Sequence, residues 1–169
     1  FMENFSLPPQ IKDWIGKTVV KDSSPFIVQS VLWQNFCSAI EDGNSLYWDA
    51  EVAKNHTNQI VAHPALLPSW LHDFEWHPNR DKKMPMQLHF LIKEALELPL
   101  GIVTEVDIEF YEPIYDGDHI SAEQKLLSVS EEVDTSLGKG RYWSIEVIFK
   151  NQTENIVGKQ NMHFLGYQK

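Results

Sequence analysis

Gly101-Ile102-Val103-Thr104-Glu105-Val106-Asp107-Ile108-Glu109-Phe110 alternates apolar and polar side chains with a period of two. Ile102, Thr104, Val106, Ile108 and Phe110 share one face of an extended chain, while Glu105, Asp107 and Glu109 share the other. The stretch predicts a half-buried β-strand. Downstream the pattern repeats. Asp116-Gly117-Asp118 marks a turn, His119 to about Val133 predicts a long strand, and Leu137-Gly138-Lys139-Gly140 marks another turn. Arg141 to Lys150 alternates with Trp143, Ile145, Val147 and Phe149 on one side. A turn over Asn151 to Asn155 then leads to a last strand from Ile156 to about Gly166. Strands joined by short turns predict an antiparallel meander.

Upstream of Gly101 the apolar period is helical. Ser30 is the expected N-cap of a helix carrying Leu32, Trp33, Phe36, Cys37 and Ile40 on one face, and Glu41-Asp42-Gly43-Asn44 ends it in a turn. Asp49 is the expected N-cap of a short helix running to about Asn55. Leu66, Leu67, Trp70, Leu71 and Phe74 form a broad apolar stripe that predicts a buried helix from Ala65 to about Trp76, with Pro64 in its first turn. His77 to Lys83 reads as a polar loop, and Gln87 to about Leu96 as a second helix stopped before Pro99 and Gly101. Near the start, Ile11 to Ile15 reads as a short turn, and Thr18 to Val20 and Phe26 to Val28 as short extended segments. Residues 1–14 are expected to be an N-terminal arm and residues 15–169 a single domain. Helices followed by an antiparallel meander make the fold class α+β.

With 43% hydrophobic and 22% charged residues, the composition is that of an ordinary globular domain. The formal net charge of −10 argues against nucleic acid and anionic membrane surfaces as partners. Arg80, Lys82 and Lys83 form a local basic cluster, read either as a solvated loop or as a contact for an anionic nucleotide. The single cysteine, Cys37, excludes an internal disulfide and a cysteine-rich metal site, and a buried inert thiol is expected. No apolar run reaches membrane-spanning length and no signal sequence precedes the domain, so a cytoplasmic location is expected. Phe1 before Met2 is expected to be a cloning remnant. The Asn-x-Ser/Thr triplets at Asn4, Asn55 and Asn151 carry little meaning without a secretory signal. The histidines lack a spacing that, with nearby carboxylates, would form a metal site.

Between Glu41 and Pro64 the chain reads Glu-Asp-Gly-Asn-Ser-Leu-Tyr-Trp-Asp-Ala-Glu-Val-Ala, followed by Ile60-Val61-Ala62-His63-Pro64. This stretch resembles the active-site segment of the MaoC-like, (R)-specific enoyl-CoA hydratases of the hotdog fold. That family's pattern is Gly-Asp-x-Asn-Pro-Leu-His, then Asp-x-x-x-Ala, then Ile-Ala-His-Gly. Asp42, Asn44, Leu46, Asp49 and Ala53 fall on it. Glu112-Pro113 with Gly117-Asp118-His119, and Thr135-x-x-Gly138-x-Gly140, resemble the family's later turns. The resemblance covers about Ile15 to Leu165 and implies a curved antiparallel sheet wrapped around a long central helix.

Two departures from the pattern bear on chemistry. Tyr47 stands where the family has its catalytic His, and Pro64 stands where it has a Gly whose backbone N–H polarises the thioester carbonyl. Hydration of an enoyl thioester needs an acid/base pair that works near neutrality. Tyrosine, with a reference pKa of about 10, is a poor base there. Negative charge builds on the thioester oxygen, and each preorganised N–H donor is worth about 2.7–4 kcal/mol. Proline has no N–H to give. Asp42 and Tyr47 thus form a degenerate pair. Asn44, His63, Pro64 and Trp70 are the residues that the resemblance assigns to substrate binding, each with an alternative purely structural role.

The resemblance implies an acyl-CoA-binding, non-catalytic subunit of a heteromeric enoyl-CoA hydratase or 3-hydroxyacyl dehydratase. Its acyl thioester would be long or bulky, including steroid side-chain thioesters, and its partner a second hotdog, either another polypeptide or an identical copy. No cofactor is expected beyond the coenzyme A carried by the substrate. Two other readings stay open. One is an autonomous enzyme, either a hydratase in which His63 assists Asp42 or a thioesterase using Asp73 or Glu75. The other is a non-enzymatic acyl-CoA sensor.

Overall fold

The computed structural model describes residues 7–79, 81 and 84–169. The basic trio Arg80, Lys82 and Lys83, the triplet at Asn4 and the first six residues of the expected arm lie outside these. The end of that arm is helical: α1 (Pro9–Trp14) starts at a proline, whose missing N–H costs nothing in a first turn. Ile11 of α1 is fully buried in the core. Gly16 then takes φ +80°, a left-handed conformation open to glycine, and leads into β1 (Thr18–Ser23).

The helices α2 (Ser30–Ala39), α3 (Ser45–Trp48) and α4 (Ala50–Thr57) follow. Ser30 is the first helical residue of α2 and not its cap. The carboxylate of Asp116, in the distant Asp116-Gly117-Asp118 turn, accepts the Ser30 N–H and takes the capping role. Of the expected apolar face only Trp33 and Cys37 are buried, whereas Leu32 and Ile40 are exposed. Asp49 does cap α4, accepting the N–H groups of Glu51 and Val52.

The expected buried helix from Ala65 to Trp76 is not formed. In its place Pro64–Leu71 is a 3-10 helix, and Trp76 is 77% exposed. Pro68 supplies a reason. It has no N–H for an i→i−4 bond and its ring crowds the preceding turn, so an α-helix cannot run through it. The apolar stripe is only partly used: Leu67 and Trp70 are buried and Phe74 is exposed. The helix that packs against the sheet is α5 (Gln87–Ala95), which lies against β1 and β3 and buries Leu88 and Ile92 completely.

The sheet comprises β1, β2 (Leu100–Phe110), β3 (Ser121–Val129), β4 (Val133–Thr135), β5 (Gly138–Lys150) and β6 (Ile156–Gln168). Its order is β1-β3-β5-β6-β2, every pair of these strands is antiparallel, and β4 pairs with β5 beside this path. The long strand expected from His119 to Val133 is therefore two strands. On β5 the alternation holds, with Trp143, Ile145, Val147 and Phe149 all buried. Gly158 of β6 lets the 3-10 helix sit directly on the sheet, because a Cβ there would lie 2.3 Å from Leu67 Cδ2.

β2 departs from expectation. It is an edge strand, and every residue but Ile108 is exposed. A bulge between Val103 and Glu105 breaks the period-two pattern: Val103, Val106, Ile108 and Phe110 lie on the inner face, Ile102 turns to the other, and Val103, Val106 and Phe110 stay about half exposed.

Candidate functional site

Five of the six candidate residues converge where α2, α3 and the 3-10 helix meet. After α2 the chain turns through Glu41 at φ +57°, and the Asp42 N–H donates to the Cys37 carbonyl at 2.8 Å. Asp42 and Asn44 then interlock. Asp42 Oδ1 accepts the Asn44 N–H at 2.9 Å, and Asn44 Oδ1 accepts the Leu46 N–H at 3.1 Å, which caps α3. Trp48 adds a bond to the same turn, its indole N–H donating to the Asp42 carbonyl at 2.8 Å. α3 turns Tyr47 inward, where it is buried.

The segment before His63 is pinned on both sides. Val61 N–H donates to the Leu46 carbonyl at 3.1 Å, and Ala62 N–H to the Ile114 carbonyl at 2.8 Å. This delivers His63 to Asp42, with Nε2 3.3 Å from Asp42 Oδ2. The rings of His63 and Tyr47 lie 5.0 Å apart, and those of His63 and Phe36 pack edge-on at 5.0 Å. His63 Nδ1 accepts the Ala65 N–H at 3.1 Å. Because Nδ1 accepts, the ring proton belongs on Nε2, facing Asp42.

The start of the 3-10 helix consequently offers no free donor. Pro64 has no N–H. Ala65 N–H is held by the His63 ring, and Leu66 N–H by the His63 carbonyl at 3.0 Å. Burial, and then the charge of Asp42, raise the Tyr47 phenol above its ordinary value, and the same two causes raise the Cys37 thiol. Neither is prepared to act as a base near neutrality. Beside the cluster an open depression of about 480 Å³ is lined by Asp42, Gly43, Trp48 and Asp49.

Trp70 is not part of this cluster. At about 2 Å of rise per residue it stands roughly 12 Å along the 3-10 helix from Pro64, is 3% exposed, and its indole N–H has no partner among the described residues. Asp73 and Glu75 sit in the loop that follows, not on a central helix. Among the described residues no group of three or more His, Cys, Asp or Glu could hold a metal ion, and no helix is long and apolar enough to cross a membrane.

Sequence reasoning missed two features. Trp48 is exposed and its indole is bonded to the Asp42 turn, a link that the local sequence does not announce. Gln124 and Gln160 also went unnoticed, although both fall in the inward register of their strands, beside Ala122 and Leu126 in one case and Met162 and Phe164 in the other. A glutamine in an apolar register was the available signal.

The antiparallel sheet with α5 on its inner face is the hotdog fold, an α+β architecture. The chain is 24% identical over 166 residues to a probable enoyl-CoA hydratase alpha subunit of Thermomonospora curvata, a match covering 94% of this chain and 51% of that protein. It thus spans about half the length of that relative. Among solved structures it resembles the ChsH1-ChsH2 complex from Mycobacterium tuberculosis, with a TM-score of 0.74 and 21% identity over 94% of this chain and 87% of that one. It also resembles a MaoC-like dehydratase from Rhodospirillum rubrum, with a TM-score of 0.61 and 12% identity over 90% and 94% of the two chains. No protein-family model matches the chain.

Proposed function

We propose that this chain is an acyl-CoA-binding hotdog subunit of an enoyl-CoA hydratase or 3-hydroxyacyl dehydratase, and that it holds the thioester while a partner hotdog carries out the chemistry. One observation carries the reading: the three positions that open the 3-10 helix, Pro64, Ala65 and Leu66, have no N–H left for a thioester oxygen. Without such donors the charge that develops on that oxygen goes unstabilised. The partner is a second hotdog, a different polypeptide or a second copy, pairing along β2, whose half-exposed Val103, Val106 and Phe110 and edge position are what such a contact would cover. The similarity to a hydratase alpha subunit and to a two-component complex supports this reading. The acyl group is long or bulky, steroid side-chain thioesters included, and no cofactor is required beyond the substrate's coenzyme A.

The test is hydration of a medium-chain enoyl-CoA by the purified chain, followed as loss of near-ultraviolet absorbance, alongside calorimetric titration with the saturated acyl-CoA. Binding without turnover is expected. A second reading rests on the 3.3 Å approach of His63 to Asp42, a pair able to move a proton if the His63 ring lets go of Ala65. Turnover by the chain alone, abolished by Asp42→Ala, would establish that alternative.

A further inference from the structure

Gln124 on β3, Val147 on β5 and Gln160 on β6 form one cross-strand row on the inner face of the sheet. Val20 and Ile108 extend the same row on either side. Two glutamines in the middle of an apolar row need an explanation, since a buried amide without partners is costly. Gln124, 2% exposed, has half of one: its Oε1 accepts the Leu88 N–H at 3.0 Å and serves α5, which has no cap from its own chain neighbour. Its Nε2 has no acceptor among the described residues. Gln160, 7% exposed, has no hydrogen bond from its side chain to any described residue.

Both amides line a cavity of about 130 Å³ between the sheet and the far end of the 3-10 helix. Its remaining walls are mainly apolar, with Leu71, Met86, Phe149 and Met162 among them. The volume is close to that of engineered apolar cavities that admit a single benzene-sized ring, and well below that of a pocket for a whole cofactor. The cavity therefore fits the end of a ligand. Leu71 stands roughly 14 Å along the 3-10 helix from Pro64, at about 2 Å per residue. An extended chain anchored near His63 and Pro64 would bring its far end to this depth.

We infer that the cavity receives the distal end of the acyl group, and that this end carries a neutral oxygen, hydroxyl or keto, recognised by the Gln124 and Gln160 amides. The identification of the tail as acyl rests on the function proposed above; the recognition of a neutral oxygen by the two amides does not. Neither amide carries a charge to pair with a free carboxylate, so a neutral oxygen is the better match. A glutamine amide both donates and accepts, so it satisfies a hydroxyl and a carbonyl alike. Plain hydrocarbon would leave both amides buried and unmatched, a mismatch that such sites use to reject analogues.

Two measurements separate this inference from the function it rests on. In the first, the full chain with isotope-labelled methionine methyl groups is titrated with cyclohexanol and with methylcyclohexane, which share a ring and differ in the oxygen. Met86 and Met162 should shift with cyclohexanol at about tenfold lower concentration than with methylcyclohexane. Gln160→Met should remove that preference while the apolar ring still binds. In the second, dodecanoyl-CoA and 12-hydroxydodecanoyl-CoA are compared by calorimetry, and the hydroxylated chain should bind about tenfold tighter to wild type and equally to Gln160→Met. If neither thioester binds but cyclohexanol still shifts both methionines, the cavity stands and the acyl-CoA function fails. If cyclohexanol leaves both methionines unmoved, the cavity holds ordered water only and the inference is overturned. Equal shifts from both rings in wild type overturn it as well.

Discussion

His63 Nε2 lies 3.3 Å from Asp42 Oδ2, while the other ring nitrogen of His63 holds the Ala65 N–H at 3.1 Å. An acid and a base are thus adjacent, yet the histidine has no nitrogen turned outward and Asp42 is tied to its own turn through Asn44. In this arrangement the two side chains brace the loop end, and His63 would have to release Ala65 before the pair could move a proton.

On the proposed reading, hydratase activity in this chain would need two changes. Tyr47→His supplies a second proton-transfer group, and Pro64→Gly frees one N–H worth about 2.7–4 kcal/mol in the transition state. Each alone should leave hydration of an enoyl-CoA near background. The double variant should exceed the product of the two effects, because such groups act as a unit. Steady-state rates on one enoyl-CoA for all four proteins check this, and strictly multiplicative effects would count against the missing-donor argument.

Association should depend on β2. Val106→Glu places a charge among the half-exposed apolar side chains of β2 and should turn a dimer at micromolar concentration into a monomer by light scattering. Stability should change by no more than about 0.5 kcal/mol, as for an exposed substitution. Wild type that is itself monomeric, with no partner recovered from its native extract, would remove the reason for placing a partner there.

Gly158→Ala should destabilise the fold by about 1–3 kcal/mol, since the new Cβ would meet Leu67 Cδ2 at 2.3 Å and the 3-10 helix must lift. Gly43→Ala, where nothing lies within 4 Å, is the control and should shift the urea midpoint far less.

His89 should make stability depend on pH. Burial, with Lys93 adding to it, lowers its pKa from 6.5 to about 4, and its ring packs 4.2 Å from Phe164 and 5.4 Å from Trp143. The unfolded chain takes up this proton near pH 6.5 and the folded chain only near pH 4. The contribution is therefore complete above about pH 6.5 and is lost as pH falls through that window. Urea midpoints between pH 7 and 4.5 should fall less steeply for His89→Phe than for wild type; parallel slopes would show that His89 is not responsible.

The sheet was legible because strands repeat every two residues and this one has a single buried face: Trp143, Ile145, Val147 and Phe149 declare it. The break between β3 and β4 was missed although the polar run Ser130-Glu131-Glu132 interrupts the alternation there. Helical reading failed at Ala65 to Trp76, where the stripe outweighed Pro68 although the proline decides the geometry. Ser30 was misread because its cap comes from Asp116, which no local pattern reaches. At the site, Asp42, Asn44 and Tyr47 were legible as a local motif. The meeting of His63 with Asp42 was expected only in the alternative of an assisted hydratase, because it requires the Val61 and Ala62 bonds to two separate elements. Gln124 and Gln160 needed the strand register before their shared row could be recognised.

The exposed length of β2 has a consequence for the cell that makes this protein. An edge strand with exposed apolar side chains and unpaired N–H and C=O groups is a template on which another chain can add, and the bulge after Val103 blunts this only locally. Copies made in excess of whatever covers that strand would stack on one another or be cleared by proteolysis. On the proposed arrangement, synthesis balanced with the partner that covers β2 would keep this chain from self-association, independent of any chemistry it serves.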